Sequence, residues 1–325
     1  MPSASAISAN GLSKAYGDII AVTGVTFQVA EREIFAYLGR NGSGKTTTVR
    51  MLTTLTRPTT GTATVAGIDI ARARELRRRI GVTLQEAALD ESMTAIDHLR
   101  LVAGLWGLSR LDALRRARAS LEAFGLAENA KRKIASFSGG MQRRLDIATV
   151  LLGEPRVLFL DEPTTGLDPQ SRRALWTEIR RLRDNGVTVF LTTQYLEEAD
   201  ELADCIAIVD RGAIIAEGTP ASLKAAHGRI TIAVEHSGTL DQLRAAFDGA
   251  HSAAVEATGS SRAEITLGSA ADGPEILAVL NRLRQHGPEI QRLSVHETSL
   301  EDVFLNLTGT SIVIDSEHAK AGGDR

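Results

Sequence analysis

The sequence has a single cysteine, Cys205, among 325 residues. That excludes an internal disulfide and any metal site built from cysteines alone. No apolar run approaches the ~18 residues that a membrane-crossing helix needs. The stretch from Met1 to Asn10 carries neither the basic head nor the apolar block of a secretory signal. Charge of one sign is also lacking: 37 basic side chains against 40 acidic ones leave a net −3. That balance gives no pull towards a phosphate backbone or an anionic lipid surface. The expectation is a reduced, cytosolic protein that does not bind nucleic acid. At a prior of ~150 residues per domain the length allows about two lobes. Hydrophobic residues at 43% and charged residues at 24% sit near the globular average, which argues against wholesale disorder.

The first two thirds alternate short apolar runs with helical patterns. Val22 to Val29 alternates as a strand, and Glu31-Arg32 makes a polar turn. Ile34 to Leu38, Val157 to Leu160, Val187 to Leu191 and Ile206 to Val209 are short and dense, as parallel strands buried on both faces require. Ser171 to Asp184 has helix length and spacing. This is α/β architecture. Residues 86–136 break the rhythm and predict a helical insertion, extended to about residue 150 as a helical subdomain. One apolar stripe there is Leu99, Val102, Leu105 and Trp106, and another is Leu111, Leu114, Leu121 and Phe124. Arg115, Arg116 and Arg118 read as a solvated helix face.

After Gly218-Thr219-Pro220 the composition shifts, and a boundary is placed near Lys224, so that 1–223 forms one domain and 224–309 another. The second reads strand 229–234, helix 239–247, strands 252–257 and 262–267, helix 274–286 and strand 290–296. That β-α-β-β-α-β order matches a ferredoxin-like split unit. Thr298 with Glu301 predicts a capping box for a last helix through Asn306. From Thr310 the polar tail is expected to be disordered.

Gly39-Arg40-Asn41-Gly42-Ser43-Gly44-Lys45-Thr46 fits G-x-x-x-x-G-K-[ST] and follows a predicted strand. Such a loop holds phosphate oxygens on successive backbone N–H groups and on the next helix's N-terminus, and side chains would block that approach. Lys45 is spaced to reach the β- and γ-phosphates and the Thr46 hydroxyl to ligate Mg²⁺. Chance supplies roughly 0.01 such matches in a chain of this length, so the expected ligands are a nucleotide and Mg²⁺.

Val157 to Leu160 ends in Asp161-Glu162, the form of a buried strand delivering carboxylates to its C-terminal end, where α/β folds place ligands. Asp161 would hold Mg²⁺ and Glu162 would polarise the attacking water. Ser138-Gly139-Gly140 precedes an amphipathic helix, Arg143 to Leu152. Read alone, it is either a second anion site or an N-cap serine with a turn.

The order of phosphate loop, Gln85, Ser138-Gly139-Gly140, Asp161-Glu162 and Gly166-Leu167-Asp168 resembles the ATP-binding cassette family, the motor subunits of ABC transporters. The resemblance covers roughly residues 7–220. Gln142-Arg143-Arg144-Leu145-Asp146, the stretch from Thr192 through Gln194 to Asp200, and Ser299 to Phe304 look like the daunorubicin-resistance exporter subgroup.

The resemblance implies a P-loop ATPase that is peripheral on the cytoplasmic face of the membrane. Asn41, Ser43 and Thr47 join the loop residues on ATP. Tyr16 would stack on adenine, and Gln85 would approach Mg²⁺ and sense the membrane partner. Ser138, Gly139 and Gly140 would close on the γ-phosphate held by a second copy, and Asp168 would couple the two sites. A head-to-tail homodimer follows, driving a separate transmembrane permease that exports hydrophobic drug-like compounds or lipids. Singly, Tyr16 also fits a surface tyrosine, Gln85 a loop amide and Asp168 a turn former before Pro169. The pattern is not met everywhere. Gln194 stands where most cassettes carry a γ-phosphate histidine, Met141 where the commonest signature has glutamine, and Arg40 where the loop often has proline. Glutamine donates a hydrogen bond to phosphate but cannot become cationic, so slower hydrolysis is expected. A soluble ABC ATPase or a nucleotide-dependent switch without a membrane partner is the alternative.

Overall fold

The computed structural model describes residues 5–85, 88–227, 230–246, 253–257, 262–267, 273–296 and 298–309. They divide into two compact units, Met1–Glu217 and Gly218–Arg325. In the first, the chain runs β1 (Ser5–Tyr16), β2 (Ile19–Ala30), β3 (Ile34–Gly39), α1 (Lys45–Leu52), β4 (Thr60–Val65), β5 (Ile68–Asp69) and α2 (Ala73–Leu76). It continues through β6 (Ile80–Thr83), α3 (Ala95–Leu105), α4 (Arg110–Ala123), α5 (Gly139–Leu151), β7 (Val157–Asp161) and α6 (Pro169–Asp184). Last come β8 (Thr188–Thr193), α7 (Leu196–Leu202), β9 (Cys205–Asp210) and β10 (Ala213–Gly218).

Two sheets form. One, in the order β2-β1-β4-β5, is antiparallel; the other runs β10-β9-β3-β8-β7-β6. Every pairing among β9, β3, β8, β7 and β6 is parallel. The reason lies in the residue pattern. β3, β7 and β8 are buried at every position, whereas β2 buries only Val22, Val25, Phe27 and Val29 in alternation. Strands covered on both faces suit a parallel sheet, and alternation suits one covered face. Phe27 of β2 reaches across to Phe35 and Tyr37 of β3 and Phe190 of β8, with ring centroids 5.4, 5.9 and 5.9 Å apart. Those aromatic contacts join the two sheets into one core and set the C-terminal ends of β3, β7 and β8 side by side.

The helical insertion differs from the sequence reading in which positions are buried. α3 and α4 bury Ala95, Leu99, Ala103, Ala113, Ala117 and Leu121, while Leu105 is 80% and Leu111 82% exposed. Alanines take most of the inward positions, so the large apolar residues at the α3–α4 turn are left outside. Arg116 is not simply solvated: it donates to Leu152 O and pairs with Glu154.

The second unit comprises α8 (Pro220–His227), β11 (Ile230–His236), α9 (Leu240–Ala246), β12 (Ala253–Ala257), β13 (Arg262–Leu267), α10 (Gly273–His286), β14 (Ile290–His296) and α11 (Leu300–Thr308). Its sheet order is β12-β13-β11-β14, antiparallel throughout, the arrangement a split βαββαβ unit produces. Ile232, Val234 and Ile265 of the sheet pack with Leu243 of α9 and Leu283 of α10. The unit begins at Gly218, ahead of the break expected at Lys224. Asn306 of α11 donates to His227 O at the end of α8, which ties that helix to this unit. The capping box sits one residue later than expected. Ser299 Oγ accepts from Asp302 N, and Asp302 Oδ2 accepts from Ser299 N. The expected disordered tail from Thr310 lies outside the described residues.

Candidate functional site: a phosphate loop facing two carboxylates

The loop after β3 turns back under itself before α1 begins. Gly44, the N-cap of α1, has φ 97°, a conformation that L side chains rarely adopt. A Cβ there would stand 2.5 Å from Ala21 O, so only glycine fits. Beside the loop is a cavity of about 480 Å³ lined by Tyr16, Ala21, Asn41, Gly42, Gly44, Lys45, Thr46, Thr47, Gln85 and Glu162. Gly39 and Ser43 are buried and do not line it.

Lys45 is 4% exposed. Its Nζ donates to Gly39 O at 2.9 Å and Arg40 O at 3.1 Å, and lies 3.2 Å from Glu162 Oε1. Burial pulls the ammonium's pKa down, and the charges of Glu162 and Asp161 oppose that pull. Asp161, at the end of β7, is 1% exposed. Its Oδ1 accepts from Thr46 Oγ1 at 3.3 Å and from Thr192 Oγ1 at 2.5 Å, while Oδ2 is buried without a partner. An orphaned carboxylate oxygen costs free energy in an apolar interior. Together with the Thr46 hydroxyl it forms a hard-oxygen donor set that suits Mg²⁺, which commonly takes one or two protein oxygens plus phosphate and water. The residues therefore fit the metal.

Glu162 adopts φ 47°, unusual for a residue with a side chain. Its backbone N–H is held by Thr192 O and Thr192 Oγ1, each at 3.1 Å. The turn points the carboxylate back to Lys45 instead of onward along the strand.

The remaining expected residues lie elsewhere on this chain. Ser138 is the N-cap of α5 and accepts from Met141 N at 3.3 Å; Gly139 and Gly140 open that helix. None of the three lines the cavity. A Cβ on Gly140 would meet Ser171 Oγ at 2.6 Å, so this glycine is required by close packing against α6. Asp168 is the N-cap of α6. It accepts from Ser171 Oγ and Ser171 N at 2.6 and 2.9 Å, and these bonds hold its carboxyl below the usual range. Gln194 follows β8 directly, two residues past the Thr192 that contacts Asp161, and is also outside the cavity lining.

A family model described as "ABC transporter" matches residues 22–165, and a second, "ATP-binding protein DrrA1-3-like, C-terminal domain", matches 218–308. The chain is 43% identical to daunorubicin resistance ATP-binding protein DrrA3 of Streptomyces coeruleorubidus, over 94% of this chain and 96% of that protein. The chain belongs to the ATP-binding subunits of ABC transporters. It is also 35% identical to linearmycin resistance ATP-binding protein LnrL of Bacillus subtilis (strain 168), over 94% of this chain and 99% of that one. A solved structure described as an ATP-binding subunit of an ABC transporter superposes with TM-score 0.60 at 32% identity, covering 67% of this chain and 91% of that one. ATP hydrolysis coupled to transport is the activity of the family. Its subunits bind ATP with Mg²⁺, dimerise, and pair with a separate membrane-spanning permease. No helix among the described residues is long and apolar enough to cross a membrane.

Sequence reasoning missed four buried residues in and around this site. Thr192 touches both carboxylate-bearing residues through one hydroxyl, yet reads in sequence as one more β-branched residue in a strand. Glu198 is fully buried, accepts from Trp176 Nε1 at 3.1 Å, and its carboxyl is pushed up by burial. Arg143 and Asp146 form a buried ion pair at 3.3 Å; an Arg and an Asp three apart on a helix look like surface residues, and only their placement beneath two loops reveals otherwise.

Proposed function

We propose that this chain is the ATP-hydrolysing motor of an exporter of hydrophobic, drug-like compounds or lipids, working as a head-to-tail dimer with two shared ATP sites. The observation carrying the reading is the separation of two anion-binding elements. Lys45, Thr46, Gln85 and Glu162 surround one cavity, and the Ser138-Gly139-Gly140 helix start lies outside it. A second copy presenting that helix start would complete the site, its N–H groups and dipole facing the γ-phosphate.

In this reading Tyr16 carries adenine, and Asn41, Gly42, Ser43, Gly44 and Thr47 present loop donors to the phosphates. Lys45 neutralises their charge. Thr46, Asp161 and Gln85 would hold Mg²⁺, which supplies charge neutralisation on the phosphates. Glu162 takes the proton of the attacking water. Gln194 donates a neutral hydrogen bond where a histidine is more usual. Asp168 sits next to the facing Ser138-Gly139-Gly140 helix start and couples the sites. Closing on ATP and opening after hydrolysis then drive the permease.

The export direction and the cargo class rest on relatives named for daunorubicin and linearmycin resistance, because the cargo contacts the permease. The test is co-purification of the tagged chain from its own cell membranes in mild detergent. Recovery of a polytopic protein in near-equal amount supports the exporter reading; recovery from the soluble fraction alone overturns it.

A further inference from the structure

Arg143 is an arginine in a place where burial makes arginine expensive. It is 6% exposed, and Asp146, its ion-pair partner, is 5% exposed. Replacing such a pair by apolar residues of similar volume is commonly neutral or stabilising, so stability alone is a poor account of its presence. What sets this guanidinium apart is where its N–H groups go. Nη1 donates to Leu84 O at 2.7 Å, Nη2 to Asp161 O at 3.0 Å and Nε to Pro163 O at 3.1 Å. Leu84 immediately precedes Gln85, Asp161 carries the orphaned carboxylate oxygen, and Pro163 immediately follows Glu162. Asp146 Oδ2 in turn accepts from Arg143 Nη1 at 3.3 Å. One guanidinium therefore ties the residue before Gln85 to both sides of the Asp161-Glu162 step.

We propose that Arg143, oriented by Asp146, is a positioning residue of the ATPase. It fixes the Gln85 loop at a set distance from the carboxylate-bearing end of β7. The planar fork suits that role because its donors point in fixed directions, so three carbonyls on two segments are held in one plane-determined geometry. The device sits on α5, the helix whose first turn follows Ser138 with Gly139 and Gly140, so movement of that helix is transmitted to Gln85 and to Glu162 together. The proposal rests on the roles given above to Gln85, Asp161 and Glu162.

The test uses the full chain in three variants. In Arg143→Met with Asp146→Leu, both charges leave together and no buried charge is stranded. In Arg143→Lys, the cation stays but the fork is lost, which keeps the proposal testable should the double variant fold poorly. Glu162→Gln is the control for the site reading itself. Four quantities are measured: melting temperature, affinity for a fluorescent ATP analogue, the dependence of kcat on Mg²⁺, and amide hydrogen exchange across Leu84 to Asp90. For Arg143→Lys and the double variant the expected result is a kcat lowered about tenfold or more at unchanged analogue affinity, the pattern of an interaction that matters only after binding. A raised Mg²⁺ requirement and faster exchange across that segment accompany it, while the melting temperature of the double variant is kept or raised. Turnover within twofold of wild type in Arg143→Lys overturns the proposal, as does unchanged exchange in that segment. A Glu162→Gln variant that still hydrolyses overturns the site reading instead, and the two failures are told apart by which variant retains activity.

Discussion

Lys45 Nζ lies 3.2 Å from Glu162 Oε1, so the residue proposed for the phosphates and the residue proposed for the water form one ion pair. The pair has a consequence for binding. If the proposed roles hold, a γ-phosphate that binds Lys45 competes with Glu162 for the ammonium.

Glu162→Gln is expected to lower turnover by ~10² or more, because general-base catalysis of that size is lost. ATP affinity should stay level or rise, since a neutral amide competes less well than a carboxylate for Lys45. Calorimetric titration beside a phosphate-release assay checks both. Loss of affinity in parallel with turnover contradicts the assignment.

Lys45→Ala is expected to show the opposite split. A charge-assisted contact to phosphate disappears, worth roughly 1.5–3 kcal/mol, and Glu162 is left buried without its cation. Nucleotide affinity therefore falls by one to two orders of magnitude on that scale, measured by equilibrium binding of a fluorescent analogue.

Gly140→Ala separates the two anion elements. The added methyl meets Ser171 Oγ at 2.6 Å, so the start of α5 must shift away from α6. ATP binding to the isolated chain is expected to be unchanged, because Gly140 does not line the cavity, while turnover falls. Reduced ATP affinity in the monomer would place this helix start in its own chain's site.

Burial raises the Asp146 carboxyl to about 6 from an ordinary 3.8. A carboxyl that binds its proton more tightly when folded makes stability fall as pH rises from about 4 to about 6, and its effect is level above that. Substituting Arg143→Met and Asp146→Leu together removes this dependence. The difference in unfolding free energy between the double variant and wild type should therefore move in the variant's favour between pH 4 and 6. A difference that is constant across that range contradicts the buried-carboxyl account.

Much of this architecture was legible in the chain itself, for identifiable reasons. The strands of the parallel sheet announce themselves because burial on both faces leaves no room for polar residues, as in Ile34 to Leu38 and Val157 to Leu160. The βαββαβ order of the second unit follows from its alternating periods. The phosphate loop was legible because backbone donors demand glycines at fixed spacing. The contacts made through side chains reaching between segments were not. Thr192, Glu198, Arg143 and Asp146 are ordinary residues in their own stretches, and they acquire a role only where β7, β8, α5 and the Gln85 loop meet. Leu105 and Leu111 failed in the other direction, since apolar spacing marks a helix face without saying that anything covers it. Ser299 replaced Thr298 as the N-cap because adjacent residues both satisfy the capping pattern, and the backbone alone decides between them.

The central claim is that ATP is held between two copies of this chain. Its most direct test is the mass in solution of the Glu162→Gln variant with and without MgATP, by sedimentation. The expected result is a change from one chain of 34.7 kDa to two on adding MgATP, abolished when Ser138 is replaced by a bulky residue. A variant that binds ATP fully yet sediments as a single chain, alone and with its membrane partner present, would contradict the shared site.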